Sequence, residues 1–519
     1  MTRTSRLLAP VVATAAAALA TTAVVAPAAP AAGATDSRAT LLEYATDTWA
    51  SMDAMVDPGT GLVSDNVGGD LSGGDRAAYT SPTNIGAYMW SAIAARDIGI
   101  ISTAEAREKI AKTLTGVAVL EKHESSGMFY NWYSPTDGHK LTVWPVDDGV
   151  VQPFLSSVDN GWLATALIMV AKEIPALSDE AHAILDPMDF GYYYNPAENQ
   201  IRGGFWVEDP NPDNPVEVPA NYGDPDSGEV LWYTGHHYGA FNTEPRMASY
   251  LGIASGQIPQ KHYFGTWRTF PKQGCDWSWT EQRAIGNYDT YLGVKVFEGA
   301  YRYAGKRFVP TWGGSMFEAL MVPLFVPEEK WGTKSWALTH PTYVQAQIHH
   351  GMQEAGYGYW GFSPSNNPAG GYREYGVDPI GMEPNGYASD QERTYVDYGY
   401  GECRPAQPEP EGYGQGVVTP HASFLAYRYA PQAALDNLAN LREDFGAYGP
   451  GGFYDAVNVE TGEMSKRYLS LDQGMVMAAL GNALAGNDMR AAFSSGPMAD
   501  KVKPLMQMEE FSGITRGDR

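Results

Sequence analysis

The chain has 519 residues, a formal net charge of −25, 12% aromatic residues and only two cysteines. That balance excludes nucleic acid and anionic membrane as partners, since both reward clustered Lys and Arg. Two cysteines alone cannot build a structural zinc site, and the length allows a large hydrophobic core.

Residues 1–34 read as an export leader. Arg3 and Arg6 form a basic start, residues 7–26 an apolar Ala/Val-rich stretch, and Ala32-Gly33-Ala34 a small-residue cleavage site. No stop-transfer pattern follows, so a secreted, extracellular monomer with no membrane association after cleavage is expected. Its charge becomes −27 once Arg3 and Arg6 are removed. In an oxidising compartment Cys275 and Cys403, both in Gly/Pro-rich sequence, are expected to form one disulfide. The mature chain, 35–519, is expected to be a single domain.

Residues 37–56 show helical periodicity, followed by a Gly/Asp-rich loop at 57–75. Ser81-Pro82-Thr83-Asn84 leads into a helix ending near Gly99, and 102–121 predicts another. Residues 127–153 are aromatic and turn-rich, 158–174 and 178–185 helical, and 190–237 a long irregular insertion. Further helices are expected at 244–255, 287–304, 313–325, 341–355, 419–429, 431–445, 471–485 and 488–508. No βαβ alternation and no short-period repeat are visible. About a dozen helices separated by long loops rich in Gly, Trp, Tyr and Asp suggest an all-α toroid of helical hairpins, an (α/α)6 barrel. A helical solenoid satisfies the same periodicity, but long aromatic and acidic loops favour the toroid, whose loops converge on one cleft.

The stretch 238–253, YGAFNTEPRMASYLGI, places Glu244 where an aromatic turn passes into a helix. Thr243 is a natural N-cap there and Pro245 a first-turn residue. Desolvation among His236, His237, Tyr238 and Phe241 would raise the Glu244 carboxyl and keep it protonated, as a general acid requires. A structural first-turn glutamate paired with Arg246 fits the same spacing. The 14 Trp and 32 Tyr residues suit carbohydrate, whose flat C–H faces stack on aromatic rings while its hydroxyls meet carboxylates.

Several segments resemble, in order, the blocks of the putative glucoamylase domain, shared by glycoside hydrolase family 144, the endo-β-1,2-glucanases, and by cyclic β-1,2-glucan synthases. They are 80–101 (TSPTNIGAYMWSAIAARDIGII), 127–132 (GMFYNW) with 155–163 (LSSVDNGWL), 241–251, 311–320 (TWGGSMFEAL), 359–365 (YWGFSPS), 418–424 (VTPHASF), 452–457 (GFYDAV) and 468–474 (YLSLDQG). Thr243 and Pro245 replace Ser and Ala around Glu244, and Pro364 replaces an acidic residue. The resemblance implies an (α/α)6 barrel and an inverting glycosidase, with endo-cleavage of β-1,2-glucan as the leading activity.

Glycoside cleavage needs an acid and a carboxylate partner, which in an inverting enzyme stand about 6.5–9.5 Å apart. Glu244 matches the family glutamate best placed to be the acid. Asp472, Asp455 and Asp159 compete for the base: Asp472 at a helix mouth that would keep it ionised, Asp455 in an aromatic loop, Asp159 in a position that also suits an N-cap. Glu318 is a candidate sugar-binding carboxylate or a first-turn structural residue. Tyr130, Trp132, Trp312 and Trp360 are stacking candidates, each equally at home in a core. Arg246 would orient Glu244 or bind sugar, and His237 would hydrogen-bond it. No cofactor and no catalytic metal are expected. Asp213, Asp224 and Asp226 could hold Ca²⁺, although a solvated acidic loop explains them more simply. Rival readings are another linkage or exo action on the same barrel, a polysaccharide lyase, which would need a basic cleft, and a non-catalytic sugar-binding protein.

Overall fold

A computed structural model describes residues 32–210, 222–223, 229–270, 282, 284–382, 413–414 and 416–517. Cys275, Cys403, Asp213, Asp224, Asp226 and the leader up to residue 31 lie outside the described residues. Among the described residues no helix is long and apolar enough to cross a membrane.

Helices dominate: α1 (Ala32–Ala54), α2 (Pro82–Ile98), α3 (Thr103–Ala118), α4 (Ser157–Glu173), α5 (Ser178–Leu185), α6 (Arg246–Ser255), α7 (Met316–Leu320), α8 (Glu328–Trp331), α9 (Trp336–His349), α10 (Pro420–Ala426), α11 (Pro431–Phe445), α12 (Ser470–Leu484), α13 (Asp488–Phe493), α14 (Pro497–Lys501), α15 (Lys503–Met508) and α16 (Ser512–Thr515). The first begins three residues ahead of the expected mature start.

Two kinds of helix are distinguishable by burial. Every residue of α2 from Pro82 to Ala95 is buried, and α4 and α12 are apolar nearly all round. Helices of that kind are interior. By contrast α3 buries the stripe Ala106, Ile110, Thr113, Leu114 and Val117, and α11 buries Ala434, Asn437, Leu438 and Leu441. Those stripes mark an outer layer. The interior helices pack in a chain, α6 on α4, α4 on α2, α2 on α12, α12 on α10 and α10 on α7. Close approach needs small residues: a Cβ on Gly86 would meet the Trp162 carbonyl at 2.8 Å, and one on Gly474 the Ala87 methyl at 2.6 Å. Trp90 seals that second contact by donating its indole N–H to the Gly474 carbonyl at 2.8 Å.

The fold departs from an all-α expectation. Residues 287–304 are not helical: Ile285–Tyr291 and Val294–Tyr303 form an antiparallel hairpin, extended to three strands by Lys306–Phe308. Its two turn residues, Leu292 and Gly293, have φ of 49° and 82°, the tight geometry that matches strand twist. The β-branched and aromatic residues of this stretch outweigh its weak helical spacing. The 190–237 insertion likewise contains strands, and Gly204–Trp206 pairs with Phe154–Ser156 and Val230–Tyr233 in a four-stranded sheet. Pro323 shortens the expected 313–325 helix to α7 plus a 3-10 turn, and Pro497 and Pro504 split 488–508 into α13, α14 and α15.

The mouths of α6 and α7 are tied by one buried arginine. Arg246 donates all five of its N–H groups: Nε and one terminal nitrogen to the Glu328 carboxylate at 2.9 and 3.0 Å, the others to the carbonyls of Thr243, Glu318 and Ala319 at 2.7–2.9 Å. Glu328 also accepts from Tyr250 and His340, each at 2.9 Å. Burial pushes its carboxyl up, but Arg246 and His340 outweigh that and hold it at about 2. Arg246→Ala would leave the buried Glu328 charge without its guanidinium partner, and is expected to cost about 3–5 kcal/mol in denaturant unfolding. A loss below about 1 kcal/mol would contradict this role.

Candidate active site

The acidic residues singled out in the sequence collect at the N-terminal ends of interior helices, where exposed N–H groups and the helix dipole favour negative charge. Asp159 is the third residue of α4 and Asp472 the third of α12, while Glu318 is the third of α7. Glu244 stands two residues before α6.

At α7 the sequence Ser315-Met316-Phe317-Glu318 has the form of a capping box, and Ser315 Oγ does accept from the Glu318 N–H at 3.3 Å. The glutamate does not reach back to its own helix start. Its Oε2 accepts from the Glu244 N–H at 2.8 Å and from the Thr243 hydroxyl. Thr243 is therefore not the N-cap of α6, which has no side-chain cap. Glu244 Oε2 accepts from the Trp162 indole N–H at 2.7 Å.

Burial, then the charge of Glu318, pushes the Glu244 carboxyl well above the usual range, against the opposing Trp162 bond. Burial also raises Glu318, to about 7, although Thr243 and the Glu244 N–H partly offset it. Of the pair, Glu244 is pushed further up and is the favoured carrier of the proton.

A ring of carboxyl groups can be followed from their mutual influence. Glu244 feels Glu318 and Asp159, Asp159 acts on Asp65, Asp65 on Asp472, Asp472 on Asp455, and Glu374 on Glu318. Tyr372, itself 50% exposed, lies within electrostatic reach of Asp472, Asp455, Glu374 and Glu244, and its hydroxyl is pushed up by desolvation and by their charges. Asp159 is half-buried; its Oδ1 accepts from Thr83 at 2.6 Å and its Oδ2 from the Asn131 amide at 2.7 Å. Burial raises it.

Asp455 and Asp472 are each only 3% exposed. Burial, and then the neighbouring Asp472, raises Asp455 strongly, so its proton is shared toward Asp472. Burial lifts Asp472 to about 7, which departs from the ionised residue its helix mouth suggested. His421, lowered by burial to about 4, lies 3.3 Å from Asp472 through Nδ1 and 2.9 Å from Ser363 Oγ through Nε2. His421, Asp455 and Asp472 bring donor atoms within 4.8 Å of one another, a set that would suit a divalent cation. Asp455 Oδ1 and Asp472 Oδ2 are buried there without a hydrogen-bond partner, and His421 Nδ1 lies closer, at 2.8 Å, to the Thr419 hydroxyl.

A cavity of about 730 Å³ opens on one side of the ring, lined by Glu244, Glu318, Glu374, His237, Trp267 and Trp312 among others. Trp312 and His237 thus stand where a ligand would touch them, and His237 Nε2 lies 3.0 Å from the Asn195 amide nitrogen. Trp132 is half-buried beside Asn131. Three expectations fail. Trp360 is 2% exposed and packed in the core. Tyr130 is buried and covered by Lys140, whose Nζ sits 4.1 Å from the ring centre. Arg246, with every N–H committed, neither contacts Glu244 through its side chain nor faces a ligand. Asp65, Glu374, Tyr372 and Trp267 were not singled out. Asp65 lies in the 57–75 loop and Glu374 in a Gly-rich one, without a local pattern to separate them from solvated acids.

Residues 280–489 match the family model described as "Putative glucoamylase", and residues 43–209 match one described as a protein of unknown function. A cyclic β-(1,2)-glucan synthase, NdvB, from Rhizobium meliloti (strain 1021) is 27% identical over 396 residues, which are 72% of this chain and 11% of that protein. The chain therefore spans about a ninth of that relative's length. Among solved structures, an endo-β-1,2-glucanase from Chitinophaga pinensis, in complex with sophorotriose and glucose, aligns at TM-score 0.60 and 15% identity, over 91% of this chain and 98% of its own. A putative glucoamylase from Bacteroides fragilis gives TM-score 0.60 and 18% identity, over 91% and 96%. These structures share the fold.

The raised carboxyls have a consequence for stability. A folded state that holds protons the unfolded chain has released loses stability as pH rises, from the unfolded pKa to the folded one. For Asp472 that window runs from about 3.8 to about 7. The thermal midpoint is expected to fall between about pH 5 and pH 7, and to fall less in Asp472→Asn. An equal fall in the variant would contradict the assignment.

Proposed function

We propose that this chain is a secreted glycoside hydrolase with an (α/α)6 barrel, cleaving β-1,2-linked glucan within the chain by an inverting acid/base reaction. The observation that carries the reading is Glu244, a carboxyl held protonated at neutral pH on the wall of a cavity lined by tryptophans and further acids. A leaving glycosidic oxygen needs that proton, and pyranose rings fit those aromatic walls. The chain of interior helices with amphipathic helices outside supports the barrel, and residues 1–34 support export. The glucan-handling relatives named above support the linkage.

For the base, Asp472 is preferred over Asp455 and Asp159. Asp159 acts on Glu244 directly, whereas Tyr372 lies within electrostatic reach of Glu244 and of the Asp455–Asp472 pair, which puts that pair in the same region as the acid. Asp455, keeping its proton, would leave Asp472 free to take one from water. A uronate-cleaving lyase would have to place its anionic substrate among these carboxyls, which argues against it.

The test is a panel of glucans, with products resolved by size and anomeric form. Internal cleavage of β-1,2-glucan with inverted configuration is expected. Glu244→Gln keeps the shape and loses the proton, so kcat should fall by about 10²–10⁴-fold with the thermal midpoint retained. Near-normal turnover in the variant would sink the reading. Lost stability accompanying lost activity would instead mark Glu244 as a structural glutamate.

A further inference from the structure

The loop between α3 and α4 carries aromatic side chains that lie outside the Glu244 cavity. Trp132 and Trp144 come from this loop and Tyr79 from the segment before α2. Their ring centres are 4.4 Å (Tyr79–Trp144), 5.2 Å (Trp132–Trp144) and 5.6 Å (Tyr79–Trp132) apart, and all three are half-buried.

Trp144 is held on a tight hairpin. Val143 pairs with Val150, the Trp144 N–H donates to the Gly149 carbonyl at 2.7 Å, and the Asp148 N–H to the Trp144 carbonyl at 3.0 Å. Val143, Val146 and Val150 are 51%, 73% and 74% exposed on this hairpin. Three exposed valines and a half-buried aromatic cluster leave apolar surface here that the fold itself does not bury.

Two hydrogen-bonded links join this surface to the acidic ring. The Asn131 amide accepts from Trp132 Nε1 at 3.2 Å through its oxygen and donates to Asp159 through its nitrogen. The Tyr79 hydroxyl lies 3.5 Å from Asn66 Nδ2, which donates to Asp65 at 2.9 Å. The aromatic cluster is therefore fixed to the Asp65–Asp159 edge of the ring. The cavity with Trp267 and Trp312 adjoins Glu244 and Glu318.

We propose that Tyr79, Trp132 and Trp144, with the 141–151 hairpin, form a second sugar-binding wall that grips glucan units beyond the cleavage point. This rests on the functional reading above. Apolar C–H faces of pyranose rings fit the indoles and valines, while Asn131, Asp65 and Asp159 meet their hydroxyls. A chain bound on both sides of Glu244 is one cut internally, and Trp144, at the base of the hairpin turn, sets a preference for longer chains.

The test uses the full chain, β-1,2-glucan of long and short lengths, and Trp144→Ala with Trp144→Phe as the conservative control. The KM for long chains should rise about threefold to tenfold in Trp144→Ala, from the loss of aromatic contact. KM for the shortest cleaved oligosaccharides should stay within twofold, and Trp144→Phe should restore most of the difference. Equal changes for long and short chains, or none for either, would overturn the wall. Tryptophan fluorescence separates this from the catalytic reading. Long glucan should quench emission in Glu244→Gln, and the quench should shrink when Trp144→Ala is added. A quench unaffected by the added substitution, or no quench at all, overturns the wall whether or not the wild-type protein cleaves the glucan.

Discussion

Everything at the acidic ring depends on where two helix mouths are held, and Arg246 holds them. Its guanidinium has five N–H groups in a rigid fork, and all five are used: two on Glu328 and three on carbonyls of Thr243, Glu318 and Ala319. The carbonyls belong to the segments that carry Glu244 and Glu318. A buried charge with so many partners admits one geometry, since any shift leaves an unpaired donor in a dry interior. Glu244 is thereby positioned from its own backbone, with Trp162 fixing its carboxyl from a third helix.

The second constraint is desolvation against helix dipoles. First-turn acids are ordinarily stabilised as anions, and a solitary one in water would stay ionised. Here seven carboxyls, Asp65, Asp159, Glu244, Glu318, Glu374, Asp455 and Asp472, crowd one region, and every one is shifted upward with burial as the leading cause. Like charges that cannot all ionise divide into proton holders and proton takers. Glu244 and Asp455 hold; Glu318 and Asp472 titrate near neutrality. In the proposed reaction that division provides an acid and a base within one fold.

The sequence was most informative where a signal was local and periodic. Ser81 capping α2, Gly99 ending it at φ 90°, and the stripes of α3 and α11 follow directly from residue spacing. It misled at 287–304, where strand-forming residues overrode a weak helical pattern, and around Arg246, whose neighbour in sequence is Glu244 but whose partner is Glu328, 82 residues away. Glu318 reads as a capping-box glutamate, and only the proximity of α6 diverts its carboxylate to Glu244. Asp65 and Glu374 acquire meaning from the carboxyls that distant segments bring near them, which local spacing does not encode. Trp360 and Tyr130 carry the residue type of a sugar platform but are covered by neighbours.

The central claim is that Glu244 keeps its proton at neutral pH inside the folded protein. Infrared difference spectroscopy between the wild-type chain and Glu244→Gln reads this directly, through the stretching band of a protonated carboxyl. The account predicts that the band is present in the wild type at pH 7, absent in the variant, and lost only well above the pH at which an ordinary glutamate ionises. A band missing at pH 7 and appearing only below about pH 5, where an ordinary glutamate protonates, would contradict it.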